Sequence, residues 1–504
     1  MKNSIILLSI FIQFISCSGT KKTSNKNSLP SQDVFAQTIT QKDLEKHLSI
    51  LASDEFEGRE TAMPGQRKAA EYIANYFQKI GLQKGFYDTS YYQFFPVNVK
   101  DPSKIKITVE KEKLTFLDDF FYMGSFKDSN YTNLEVVYIN YGVIGENYSD
   151  YEGVNVKGKV VILKEGLPEG ITVKGDWDNW RKKIKVAKEN GAVAVFTINE
   201  LFEQRVERIR SFIANPRMQL HNKGDKSKHK TLPNIFISPK VAKNHFGITT
   251  ASDKGELEQK INLNLEINQV LTSSNVLGFL EGTDKKDEVV VITAHYDHLG
   301  FDAGEVCNGA DDDGSGTVAV LELAQAFVNA KKAGKGPRRS ILFMTVSGEE
   351  KGLLGSQYYT ENPVYKLEST ICDLNIDMVG RIDDQHLDNN YVYLIGSDKI
   401  SSDLHAISEK ANADKIKMEL DYTFNDENDP NRFYYRSDHY NFAKKGIPVI
   451  FYFSGTHEDY HKPTDDVEKI DFEKIERTTK LVFYTAWEIA NREHRLNVNN
   501  LKGN

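Results

Sequence analysis

The chain predicts an α/β fold: a mainly parallel mixed sheet flanked by helices, with a β-rich module inserted into it. Three observations carry this. From Ser274 onward, apolar strand-like runs alternate with helix-like segments, as in a parallel sheet covered on both faces. The run Val289-Val290-Val291-Ile292 is continuous and β-branched, so it reads as a strand buried on both sides. Between about Ser125 and Asn268 the texture shifts to short β-type runs and Gly-rich turns, and the alternation then resumes. A segment flanked by the same pattern on both sides is inserted rather than appended.

Taken in order, residues 1–17 begin with one positive charge, Lys2, and an apolar run over 5–15. That run is about half of the ~20 residues a spanning helix needs, but it suits a secretory signal. Phe14-Ile15-Ser16-Cys17 resembles the lipobox of bacterial lipoproteins, in which the cysteine is lipidated and becomes the mature N-terminus. The resemblance implies a lipid anchor at Cys17 and a place in the cell envelope. Residues 18–38, rich in Ser, Lys and Asn at their start, read as a flexible tether. The main α/β unit is expected over 39–124 and 269–492. Its first helix shows Leu44, Leu48 and Leu51 at helical spacing; its second places Ala69, Ile73, Tyr76, Phe77 and Ile80 on one face and is capped by Gly81. The stretch 52–59 between them is a turn-rich break, and the two helices read as scaffold.

The inserted module is expected over 125–268, with strands at 135–141, 159–163, 192–198 and 232–238 and a helix at 177–190. Tyr151-Glu152-Gly153-Val154-Asn155-Val156-Lys157-Gly158-Lys159-Val160-Val161, with Glu189-Asn190-Gly191-Ala192-Val193-Ala194-Val195 after it, resembles a protease-associated (PA) domain. Beyond it, strands are expected at 289–294, 340–346, 373–379, 391–395 and 447–453, and helices at 317–328 and 472–489. Residues 493–504 read as a C-terminal tail.

Composition narrows the function classes. The 504 residues are 39% hydrophobic and 27% charged, ordinary for a globular protein, and long enough for two folded units. A formal charge of −8 argues against a nucleic-acid partner. The Lys-rich run 223–230 reads as a solvated loop. Cys307 and Cys372 remain after Cys17; two cysteines make no disulfide framework, and whether they pair is left open.

Five clusters fall at the ends of the expected strands. His295-Tyr296-Asp297 offers an imidazole with a carboxylate that can orient it; His298 beside it has no role assigned. Asp311, Asp312 and Asp313 lie in a Gly-rich turn, and read alone they suit a solvated turn, a helix cap or oxygen ligands for a hard cation. Glu349-Glu350 follows an apolar strand, so one carboxylate can hold a metal while its neighbour holds a water. Asp377 sits in an otherwise apolar run, where a carboxylate is costly unless paired or bound to a metal. Tyr460-His461 supplies a second histidine after the last strand. Histidine and carboxylate without cysteine suit catalytic zinc, with manganese or cobalt as substitutes. So many ligands suit two ions sharing a carboxylate.

The five motifs, in this order, resemble those of the di-zinc aminopeptidases of metallopeptidase family twenty-eight, relatives of aminopeptidase Y and glutamate carboxypeptidase II. The resemblance runs from about Ile39 to Ile489. It implies the zinc-exopeptidase fold (phosphorylase/hydrolase-like) and cleavage of N-terminal residues from peptides with a free N-terminus. It implies that His295 and Asp377 bind one zinc, Glu350 and His461 the other, and Asp312 both. It makes Glu349 the general base, Asp297 the partner of His295, and Tyr460 an oxyanion-stabilising group. Tyr435-Arg436-Ser437-Asp438-His439 resembles a family segment near the substrate pocket. Arg432 and Arg436 are open to substrate or structural roles. A carboxypeptidase, a glutaminyl cyclase-like enzyme and a non-catalytic peptide-binding lipoprotein remain as other outcomes on the same scaffold. The preferred N-terminal residue, the oligomeric state, the membrane leaflet and the role of the PA domain are not legible.

Overall fold

The computed structural model describes residues 31–499, apart from 125, 172, 174, 215 and 222–230. The signal sequence, Cys17 and the Lys-rich loop expected at 223–230 therefore lie outside the described residues.

The main sheet runs in the order Glu419–Asp421, Tyr391–Ile395, Val449–Phe453, Thr370–Ile376, Lys285–His295, Arg339–Val346, Asn268–Leu280, Tyr92–Lys100 and Arg217–Leu220. Val449–Phe453, Thr370–Ile376, Lys285–His295 and Arg339–Val346 are parallel neighbours. Lys285–His295 is buried from Val289 onward and the other three throughout, which is why the stretches read as apolar runs. The register pairs His295 with Val346, Thr293 with Asn375, and Ile376 with Tyr452. The carboxyl ends of the four strands are thus nearly level, the usual place for ligands in open α/β sheets. Outside this quartet most pairings are antiparallel, so parallel character belongs to the centre of the sheet.

Helices cover both faces. Phe472–Asn491 packs against Gln41–Leu51 and Gly316–Lys332, with Phe327, Phe483 and Trp487 in mutual ring contact. Two expectations change at the chain ends. The tether expected over 18–38 gives way to a helix at Gln32–Ala36, because Phe35 finds a buried site stacked on Trp487. The tail expected over 493–504 packs at its start, where Leu496 is buried and Asn499 N–H donates to the Ile400 carbonyl.

The chain leaves the main sheet at Lys100 and returns at Asn268, and these two residues are cross-strand partners. The excursion between them builds a second sheet, ordered Glu112–Lys113, Lys106–Val109, Gly255–Asn264, Asn130–Tyr138, Val160–Lys164, Ala194–Ile198, Asn234–Ile237 and Phe120–Met123. It starts upstream of residue 125, since Ile107, Val109, Phe120 and Phe121 are buried in it. The helix expected at 177–190 forms as Trp180–Glu189, and Phe202–Ala214 and Pro239–Phe246 are helices besides. Arg217–Leu220, from within the excursion, pairs back onto Tyr92–Lys100 at the edge of the main sheet.

Among the described residues, no helix is long and apolar enough to cross a membrane.

Candidate metal centre

His295 is the last residue of its strand, and its ring is buried. Its Nε2 lies 3.3 Å from Asp312 Oδ1, 3.6 Å from Asp377 Oδ1 and 3.9 Å from Glu349 Oε2. Asp377 stands one residue past the end of Thr370–Ile376 rather than inside the strand, and Met378 then turns the chain with φ +54°. The Asp377 carboxylate is held by a relay: Thr293 Oγ1 donates to Asn375 Oδ1, Asn375 Nδ2 to Ser437 Oγ, and Ser437 Oγ to Asp377 Oδ2 at 2.6 Å. Ser437 belongs to the segment expected near the site.

Of the three neighbouring aspartates, Asp312 alone presents its carboxylate to these groups. Asp313 accepts the backbone N–H groups of His295, Gly316 and Met378. Asp311 accepts Gly380 N–H and faces His457 Nε2 at 3.3 Å. The Asp465 carboxylate accepts the N–H groups of Asp311 and Asp312 and so fixes the turn from below.

On the far side of Asp312, His461 Nε2 lies 3.1 Å from Asp312 Oδ2 and 3.3 Å from Glu350 Oε2. The structure also brings in His298, to which no role was assigned: its Nδ1 is 2.8 Å from Glu350 Oε1 and 3.9 Å from Asp312 Oδ2. Only its position three residues after His295, at the same strand end, could have flagged it. Asp297 lies beside His295, but the nearest acceptor for His295 Nδ1 is the Asp297 carbonyl at 3.1 Å, against 3.8 Å for its carboxylate. That carboxylate accepts instead from Thr61 Oγ1 at 2.6 Å and from Glu349 N–H at 3.3 Å, which ties it to the placement of Glu349.

Arg59 comes from the turn-rich break between the first two helices, to which no role was assigned. Its buried guanidinium donates to the carbonyls of Leu51, Tyr296, Asn308 and Gly309, clamping the loop after His295 to the loop before Asp312. No local pattern marks such a residue, because all its partners except Leu51 are remote in sequence. Gly309 is required there: with φ +54°, a Cβ would collide with the Asp312 carbonyl and the His298 ring.

Electrostatics follow from burial and these neighbours. Burial works to raise Asp312, yet His295 and His461 outweigh it and hold its carboxyl well below the usual range. Burial opposes the charge on His461, but Asp312 and Glu350 prevail and push it up to about 10. Burial, aided by Glu350 and Asp377 against the pull of His295, pushes Glu349 well above an ordinary glutamate. Tyr460 stacks on the His461 ring and its hydroxyl accepts from Arg436 Nη2 at 3.3 Å. Arg436, Tyr460 and the apolar side chains of Met378, Phe433, Phe451 and Phe453 line the small pocket that opens onto His295, Asp312, Glu349 and Asp377. Arg432 instead lies over the Tyr435 ring. Cys307 and Cys372 are buried and free.

The donor set fits metal ions. Donor atoms of His295, Asp312 and Asp377 lie within 4.8 Å of one another, as do those of His298, Asp312 and Glu350. Asp312 Oδ2 and Glu350 Oε1 are buried and meet only imidazole nitrogens, His461 Nε2 at 3.1 Å and His298 Nδ1 at 2.8 Å, while His298 Nε2 has no hydrogen-bond partner among the described residues. Buried carboxylates left in that state are costly unless a cation meets them.

Comparison with known proteins places this geometry in a family context. Residues 275–486 match the model of Peptidase family M28. The chain is similar to Aminopeptidase YwaD of Bacillus subtilis (strain 168), with 26% identity over 276 residues, 52% of this chain and 56% of that protein. It is also similar to a protein described as a probable leucine aminopeptidase in Arthroderma benhamiae (strain ATCC MYA-4681 / CBS 112371). There the identity is 32% over 214 residues, 41% of this chain and 55% of that one. The chain thus spans about half the length of the curated relatives it matches. The solved structure of an aminopeptidase from Aneurinibacillus sp. strain AM-1 superposes with a TM-score of 0.51 at 20% identity, over 93% of this chain and 98% of that one. The fold is shared.

Proposed function

We propose that this chain, whose residues 275–486 match the model of Peptidase family M28, is a zinc-dependent aminopeptidase working through a pair of zinc ions. One observation carries the reading: a single carboxylate, Asp312, stands between two groups of histidine and carboxylate donors. In this assignment His295 and Asp377 hold one ion, Glu350 and His461 the other, and Asp312 both. When bound, zinc supplies Lewis-acid polarisation of the scissile carbonyl and lowers the pKa of a water toward about 7.

The chain's own groups do the rest. Glu349, which lines the pocket with its Oε2 3.9 Å from His295 Nε2, takes a proton from the attacking water and delivers it to the leaving amine. Asp297 holds Glu349 by its backbone N–H. The Tyr460 hydroxyl, steadied by Arg436, donates to the developing oxyanion. A substrate's free α-amine can approach the metal–carboxylate cluster, which favours cleavage at N-termini. The aromatic wall of Phe433, Phe451 and Phe453 offers apolar contact to the first side chain. Arg436, as a basic group in the same pocket, favours a second reading in which a substrate carboxylate is bound and C-termini are trimmed.

We further read the second sheet as a PA-type module that narrows access to the centre, and Cys17 as the site of lipid attachment in a bacterial envelope. The test is zinc content together with hydrolysis of free, N-blocked and C-amidated peptides. Cleavage of free N-termini, indifferent to C-terminal amidation and lost on N-blocking, is expected. Cleavage of N-blocked peptides that needs a free C-terminus would replace the aminopeptidase with the carboxypeptidase.

A further inference from the structure

We propose that His298 is a ligand of the second zinc, through Nδ1, alongside Glu350, Asp312 and His461; this rests on the two-zinc reading above. His298 is fully buried; its Nε2 has no hydrogen-bond partner among the described residues, and its Nδ1 meets carboxylate oxygens. A buried imidazole in that state is unusual, since buried polar atoms are nearly always paired. Its Nδ1 faces Glu350 Oε1 at 2.8 Å and Asp312 Oδ2 at 3.9 Å, the separations expected of atoms sharing one ion.

The backbone holds the ring there. His298 N–H donates to the Arg59 carbonyl, and Gly309 is the close neighbour that leaves room for the imidazole. Glu350 uses its two oxygens on two histidines, Oε1 towards His298 and Oε2 towards His461. His461 is the outer of the two, with its side chain 38% exposed against 0% for His298.

The consequence is a division of labour. Four protein groups close a tetrahedral zinc, whereas three leave a position open. With His298 and His461 both available to it, the second ion would be the closed one. The first, held by His295, Asp377 and the shared Asp312, would keep an open position beside Glu349, which lies 3.9 Å from His295 Nε2.

The test uses the full chain, stripped of metal and titrated with zinc, with bound metal counted by mass spectrometry and affinities read by calorimetry. Wild type should take two equivalents. His298→Ala and the volume-conserving His298→Gln should keep the first and weaken the second by more than about 100-fold, beyond the loss expected of an outer-sphere partner. Metal-free circular dichroism and melting must match metal-free wild type. Two tight equivalents in the folded variants, or a weakening of only 10-fold, would overturn the assignment. Zinc-edge X-ray absorption of the wild type tests it without any variant: three imidazoles over two ions support it, and two overturn it. If wild type takes a single equivalent, the two-zinc reading itself fails, and His298 with it.

Discussion

Asp311, Asp312 and Asp313 are chemically identical and stand in one turn, yet their carboxylates have separate work. Asp313 accepts three backbone N–H groups and Asp311 one, with His457 at its other oxygen. Replacing Asp313 by Asn should therefore act on folding: a buried acceptor site is lost, costing about 1–3 kcal/mol, read as a lower urea midpoint. Asp312→Asn should instead leave a folded protein that retains neither zinc on dialysis, because it is the shared group. A variant holding two zinc ions without Asp312 would remove the bridge from the scheme. Glu349 is separable from both. Glu349→Gln should keep its zinc and lose about 10²–10⁴-fold in kcat, the usual worth of a positioned acid–base group. Loss of metal in that variant would make Glu349 a ligand rather than the base. These residues stood out in the sequence because polar groups directly after apolar strands are conspicuous. Arg59 did not, because it works through partners far along the chain, and His298 was overshadowed by His295 on the same strand end.

The helix Gly316–Lys332 begins at this turn and carries Glu322, whose buried carboxylate faces the helices Gln41–Leu51 and Pro64–Ile80. His47 Nε2 stands 3.6 Å from it, with Asp43, Lys46, Tyr72 and Tyr76 close by. Burial pushes Glu322 up to about 8 and His47 down to about 4, so at neutral pH both are uncharged. Between about pH 4.5 and 6.5 the two oppose each other. Folded Glu322 holds a proton that the unfolded chain has released, while folded His47 lacks one that the unfolded chain holds. From 6.5 to 8 only the Glu322 contribution remains, and stability falls as pH rises, by about 2 kcal/mol over that window. Glu322→Gln should abolish that decline, so the variant gains on wild type between pH 6.5 and 8 in urea unfolding of zinc-saturated protein. Equal slopes for both would show Glu322 to be ionised in the fold. The sheet elements were readable because a strand buried on both faces is an unbroken apolar run, whose end is where the chemistry begins. The short ones were not: Gln32–Ala36 is helical because Phe35 packs on Trp487, a contact that no local pattern contains.

At the scale of the whole chain, two sheets with separate cores share one excursion point, where Lys100 and Asn268 pair. The beginning of that excursion was the least legible boundary, since Lys106–Val109 and Phe120–Met123 are too short to show a period and join the second sheet only through distant partners. All the proposed ligands belong to the main unit, and none lies in the three hydrophobic clusters of the second sheet. A ligand that binds only the folded state stabilises it by about 2.7 kcal/mol at a free concentration one hundred times its Kd. Zinc should therefore raise the unfolding temperature of the main unit and leave that of the second sheet unchanged, seen in calorimetry as one moving and one fixed transition. Because the ligands must be deprotonated, and His461 without metal is pushed up to about 10 by its carboxylate neighbours, protons compete with zinc and the gain should shrink on going from pH 8 to pH 5. Asp312→Asn should show no zinc-dependent shift at either pH. A single transition that moves as a whole would show instead that the two sheets unfold as one cooperative unit, and that the paired strands at Lys100 and Asn268 couple them.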